Sequence, residues 1–309
     1  MKLSAAQKAI IALCICNTIW GIGSPIYKWV LFDIHPFTLA LFRFYLPLLI
    51  LLPFVYKNLK IERKDWKTLF LTGFLGIGIN ISFFFLGLTK TESINAPIIA
   101  SAAPIFVILG SLFFFKEKVK IKTIFGTFVG FCGILLIILE PLLLKGLDSS
   151  VSGNLLLFVS MLGATGSVLF GHKICQKYPP AVVAFYSFLI GSLCFLPFSY
   201  SEIIRYGLVE QLTNRAIFGI LFGAFFSSLA AYFFFYWGLK RISASEAGLF
   251  TYIDPITAII IAIPLLGEKP TLLYMVGAVL VFVGIYIAER RIHYHPLHLL
   301  KKVRPTPPR

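Results

Sequence analysis

An aspartate, Asp254, lies about two turns inside the apolar run 247–266, in the stretch TYIDPITAIIIAIPLLGEKP. A carboxylate at that depth can bind a cationic group of a solute, take up a proton as a coupling site, or pair with a polar neighbour and hold its helix. The next residue, Pro255, has no N–H to donate, so a carbonyl about a turn earlier loses its helical partner. Arg43 stands about seven residues into another apolar run, roughly 10 Å deep at 1.5 Å per residue. Its long side chain either reaches toward the headgroups or needs a buried partner. Trp20, Phe84, Tyr232, Tyr236 and Tyr252 could wall a pocket for an apolar or amphipathic solute, and Asn80 and Ser101 could supply hydrogen bonds. Trp29 and Trp237, near the ends of runs, read as interface residues. No catalytic residues emerge: there is no Asp-rich metal site, no Ser-His pair and no HExxH. A membrane enzyme acting on lipid-linked substrates is therefore the secondary reading.

The elements that must position these residues are set by composition. The chain of 309 residues is 58% hydrophobic and 13% charged, against roughly a quarter charged in ordinary globular proteins. Crossing the hydrocarbon takes about 20 apolar residues. Ten runs qualify: 9–27, 37–56, 68–89, 95–115, 121–139, 151–171, 181–201, 216–239, 247–266 and 271–288. Runs of this length rich in Leu, Ile and Phe are helices, because the segment must satisfy its own backbone in lipid. The expectation is thus an all-α integral membrane protein of ten transmembrane helices.

A net charge of +15 would suggest nucleic acid as a partner in a soluble chain, but here the charges follow the membrane. With the N-terminus inside, twenty-one of the 28 Lys and Arg face the cytoplasm, six face outward, and Arg43 is left in the membrane. Both termini are expected inside. The five cysteines, with no metal-type spacing, read as small apolar packers. The start lacks a small-x-small cleavage site and reads as an uncleaved first helix. The basic tail 289–309 carries His293, His295 and His298. Contact with anionic lipid headgroups accounts for it better than a metal site does, and no cofactor is implied.

The sequence repeats itself. Shifted by 151 residues, Gly87-Leu88 falls on Gly238-Leu239, Pro104 on Pro255 and Glu117-Lys118 on Glu268-Lys269. Shifted by 144, Pro36 falls on Pro180 and Pro53-Phe54 on Pro197-Phe198. Two five-helix units result, 1–145 and 150–288, and five being odd, the second enters the membrane from the opposite side. Inverted repeats are the plan of secondary transporters, with the solute site between the halves near the midplane. Small-residue stripes mark the faces turned toward protein: Gly73, Gly76, Asn80, Phe84 and Gly87 in the third helix, their counterparts in the eighth, and Ala247, Thr251, Asp254 and Ala258 in the ninth. Gly126, Gly130, Gly133, Gly277 and Gly284 form either a homodimer face or packing within the chain. Arg43, Pro104, Glu117, Pro255 and Glu268 are read as structural or gating residues, with Glu117 and Glu268 tying helix ends on opposite sides.

With WGIGSPIYK in helix 1, HPFTLALFRF opening helix 2, and helices 4 and 9 each running from an internal proline to Glu-Lys, the chain resembles the EamA-type members of the drug/metabolite transporter superfamily over nearly its whole length. The motif residues are Trp20, Arg43, Pro104, Glu117, Pro255 and Glu268. The resemblance implies an inner-membrane carrier exporting small metabolites, amino acids or drugs, with a cavity built by helices 1, 3, 4, 6, 8 and 9. Helix 6, MLGATGSVLFGHK, departs from the pattern in having no tryptophan to match Trp20. A lipid-flipping subunit is the remaining alternative. Cysteines placed at positions 117 and 268 are expected to be labelled from opposite faces of the membrane; labelling from one face would contradict the inverted topology.

Overall fold

The computed structural model describes residues 5–106, 121–146, 149–241, 247 and 249–288. Among them the chain is helical throughout, with no strand. The elements are α1 (Ala5–Val30), α2 (Pro36–Val55), α3 (Trp66–Gly73), a π-helical stretch (Phe74–Ile79), α4 (Asn80–Leu88), α5 (Asn95–Ala100) and α6 (Ile121–Lys145). They continue with α7 (Ser149–Lys177), α8 (Pro180–Tyr206), α9 (Asn214–Leu221), a second π-helical stretch (Phe222–Ala230), α10 (Ala231–Leu239), α11 (Ile253–Leu266) and α12 (Leu272–Ala288). Seven continuous helical segments of the described residues are long and apolar enough to cross a membrane, and Asn95–Phe106, Phe250–Leu266 and Leu272–Ile287 are shorter apolar helices. The protein is an integral, multi-pass membrane protein.

Local sequence sets the boundaries. Pro36 and Pro180 open α2 and α8, where a missing N–H costs nothing and the fixed φ suits the first turn. The Thr213 side chain caps α9 by accepting from the Ala216 N–H. Gly267 ends α11 in the left-handed region at φ +68°, a conformation that favours glycine.

The packing crosses between the halves of the chain in matched pairs. α1 lies on α10 and α11, while α7 lies on α4 and α5; α2 meets the π stretch Phe222–Ala230, while α8 meets Phe74–Ile79. α2 and α8 also pack on each other, as do α6 and α12.

Hydrogen bonds and ion pairs tie the halves at both ends of the bundle. At one end, Lys177 pairs with Glu62 (2.6 Å) and Asp65 (2.5 Å), and the Tyr178 hydroxyl donates to Asp65 and accepts from the Glu62 N–H. The Lys177 ammonium beside Glu62 holds that carboxyl below the usual range. At the other end, Glu202 accepts from the Phe37 and Thr38 N–H groups and the Thr38 hydroxyl. Glu268 there accepts from the Ser93 N–H (2.8 Å), the Ser93 hydroxyl (2.7 Å) and the Ile94 N–H (3.1 Å). It thereby satisfies donors at the start of α5 that have no helical partner.

The glycines of α6 and α12 meet one another inside the chain. A Cβ on Gly284 would lie 2.2 Å from the Gly130 nitrogen, and one on Gly133 would lie 2.6 Å from the Gly277 carbonyl oxygen. This face is filled without a partner, so a second copy would have to dock elsewhere. Gly284→Ala drives a methyl into fixed backbone and is expected to cost about 1–3 kcal/mol, read as a lower melting temperature in detergent. An unchanged melting temperature would mean that α6 and α12 do not approach through these residues.

Candidate functional site

The two π-helical stretches occupy the same register of the repeat: residue 76 plus the 151-residue shift is residue 227. A π turn shifts the hydrogen-bond ladder from i+4 to i+5 and is frequent at functional sites. Here both matched carbonyls accept from an aromatic side chain. The Trp20 indole N–H donates to Ser227 O at 3.0 Å, and the Tyr232 hydroxyl points at Gly76 O at 3.5 Å. The donors also touch each other, Trp20 and Tyr232 packing edge to face with centroids 5.3 Å apart.

Arg43 is seated beside this pair and is 3% exposed. Its Nη2 donates to Ser227 Oγ at 2.9 Å and its Nε to Ser228 Oγ at 3.2 Å. Its guanidinium carbon lies 4.6 Å from the ring centre of Tyr27, 4.9 Å from Phe44 and 5.7 Å from Phe85. Gly223 makes room for it, since a Cβ there would lie 3.0 Å from Arg43 Cγ. The side chain does not extend to the membrane surface. Among the described residues the ion pairs are all at helix ends and none involves Arg43. A charge at a helix centre costs about 2.5–3.5 kcal/mol on insertion scales. Hydrogen bonds to charged groups contribute about 1.5–3 kcal/mol each, and a buried cation over a ring up to about 2 kcal/mol. Hydroxyls and ring faces therefore offset the burial without a carboxylate.

The second group forms where the breaks of two short helices cross. α5 ends at Ala100, and a turn at Ser101–Ala102 separates it from the helical residues 103–106. Pro104 is buried just past that turn. In the matched place the 3-10 turn Leu249–Tyr252 precedes α11, with Asp254 and Pro255 in its first turn. Pro255 has no N–H to offer the carbonyl four residues back, that of Thr251. The Ser101 hydroxyl lies 3.4 Å from it while donating to Pro97 O at 2.9 Å. Helix breaks of this kind carry the ligand groups of transporters.

Asp254 is 8% exposed, and its Oδ1 has no hydrogen-bond partner among the described residues. α1 presses on it through Gly21: a Cβ there would lie 2.0 Å from Thr257 Oγ1 and 2.5 Å from Asp254 O. One turn earlier on the same face of α1, the buried Asn17 also has an unpartnered carboxamide oxygen, its nitrogen donating to Leu13 O. Asp254 and Arg43 form no ion pair with each other.

The structure brings Trp20, Arg43, Tyr232 and Tyr236 into one cluster; Tyr236 packs on Tyr232 and is hydrogen-bonded to Ser187 at 3.1 Å. Phe84 borders it through Tyr27 and Phe85. At the second group Ser101 reaches Thr251 O, three residues before Asp254, and Pro104 and Pro255 each follow their own helix break. Asn80 turns to α7, donating to the carbonyl and hydroxyl of Ser160. Tyr252 packs on Phe282 of α12. Glu268 is at a helix end, and Glu117 and the tail 289–309 lie outside the described residues. Tyr27 and the Ser227-Ser228 pair as partners of Arg43 were missed from the sequence. A pair of hydroxyls in the otherwise apolar FGAFFSSLA was the available signal. No cluster of three or more metal-ligating side chains occurs among the described residues.

Comparison with known proteins agrees with this architecture. A solved structure covering 94% of this chain and 99% of its own superposes with a TM-score of 0.62 at 15% identity, a likeness of fold. An uncharacterized transporter of Archaeoglobus fulgidus is 28% identical over 92% of this chain and 100% of its own length. The uncharacterized transporter YetK of Bacillus subtilis is 24% identical over 90% of this chain and 86% of its own. The model of the EamA-like transporter family matches twice, over residues 7–139 and 151–289. With both halves matched, the chain belongs to the EamA-like transporter family.

Proposed function

We propose that this membrane transporter is a secondary carrier that exports a small metabolite, an amino acid or an amphipathic drug-like solute, across the plasma membrane by alternating access. Its ten helices form two inverted five-helix repeats, 1–145 and 150–288, with both termini in the cytoplasm and the basic tail against the inner leaflet. The matched cross-packing of α1 with α10 and α11 and of α7 with α4 and α5 supports that plan. The ties between halves at both ends supply the contacts that would open in turn, with Glu268 among them.

The observation that carries the reading is Asp254: a buried carboxylate with an unpartnered oxygen, at a helix break where the halves of the chain cross. A scaffold group would be bonded out, because an unsatisfied polar atom in lipid costs several kcal/mol. In a carrier the atom is completed by the solute or by a proton that travels with it.

The test is flux into proteoliposomes across a panel of amino acids and amphipathic solutes. Asp254→Asn keeps the shape of the side chain, so the protein is expected to fold and insert normally while transport falls at least tenfold. If the carboxylate carries a proton, the same variant still exchanges solute but no longer accumulates it against a pH gradient. Wild-type flux in Asp254→Asn would return the residue to a structural role. Chemistry on a lipid, with no flux of any solute, would favour the enzyme reading.

A further inference from the structure

Arg43 has a feature that holding helices together does not require. A guanidinium carries five N–H donors in a planar fork and stays charged at every physiological pH. Among the described residues Arg43 uses one donor on Ser228 and one on Ser227. Each serine hydroxyl accepts from it; the Ser228 proton remains available to a further acceptor, while Ser227 lies within hydrogen-bonding reach of the Tyr27 oxygen. The Tyr27 hydroxyl is buried beside them with Ser227 in reach of its oxygen, and its own proton has no acceptor among the described residues. Unspent donors are thus supplied side by side from α1, α2 and the π stretch Phe222–Ala230, and among the described residues no carboxylate pairs with Arg43.

Neighbouring donors in a water-poor site are complementary to an anion, and a fork with flanking hydroxyls suits the two oxygens of a carboxylate. Ring faces close around these donors: Phe44, Phe85 and Phe222 each pack within 6 Å of Tyr27 or Arg43. They would suit an apolar body attached to the charge. The matched position in the other half, residue 43 plus 144, is Ser187, which bonds to Tyr236. The anion pole therefore exists once, on one side of the interface.

We propose that Arg43, with Ser227, Ser228 and Tyr27, is an anion site that takes the carboxylate group of the transported solute. This deepens the carrier reading and rests on it for the word transported. The binding itself is testable without flux.

The probe is 3-phenylpropionate, set against the neutral 3-phenylpropanol and the cationic 3-phenylpropylamine, on purified full-length protein in detergent. The carboxylate is expected to raise the melting temperature of the wild type in a saturable way, and the alcohol and amine are not. Arg43→Gln should weaken the apparent Kd at least tenfold, and Arg43→Lys, which keeps the charge but loses the fork, should weaken it less. Should Arg43→Gln fail to fold, Ser227→Ala with Ser228→Ala should still weaken binding several-fold. No saturable carboxylate effect, an equal effect of the alcohol, or unchanged affinity in these variants overturns the site. Carboxylate binding with no flux in proteoliposomes would remove the carrier reading and leave the site standing. Flux that survives Arg43→Gln would do the reverse.

Discussion

A backbone carbonyl that loses its helical partner inside a bilayer has no water to turn to, and the central part of this bundle is arranged around that constraint. The chain interrupts its helices at four matched places: two π stretches and two breaks ahead of prolines. At three of them a side chain from another helix reaches a backbone carbonyl: Trp20 to Ser227, Tyr232 to Gly76 and Ser101 to Thr251. Each of these contacts requires close approach, which is why Gly21 sits against Asp254 and Gly163 sits 2.8 Å, by its missing Cβ, from Leu75 O. The interruptions and the small residues are one device. Irregular backbone is tolerated because the neighbouring helix is near enough to complete it.

Charge placement follows the same logic. The two halves differ where it matters: Arg43 falls on Ser187 and Asp254 on Ala103. Each buried charge stands next to an interruption, Arg43 against the π stretch and Asp254 in the first turn after the 3-10 segment. The two charges do not neutralise each other, and hydroxyls and ring faces hold the arginine. The shared scaffold makes a crossing point, and the unshared charges give it chemical character.

Much of this was legible in the sequence, because membrane helices are written in long apolar runs and a repeat is visible as matched prolines and glycines. The protein-facing stripes were readable for the same reason, since only small residues allow close approach. What one run does to another was not. Asn80 lies on the third helix's stripe yet bonds to Ser160 of α7, and Tyr252 packs toward α12, because a stripe states that a face is covered and not by which helix. The π stretches carry no distinctive composition. Pro255 was expected to free a carbonyl about a turn earlier. The break instead falls ahead of Ile253, so the proline sits in a first turn, where a missing N–H costs no helical bond.

The central claim is that the halves move against each other about this crossing point, the ties at the two ends opening in turn. Pulsed electron spin resonance on reconstituted protein measures it directly, with one label pair at Lys60 and Gln176 across the Lys177 end and another at Lys90 and Lys269 across the Glu268 end, all exposed positions. On addition of transported solute, one distance is expected to lengthen as the other shortens. Two distances that stay fixed, or that lengthen together, would contradict alternating access in this bundle.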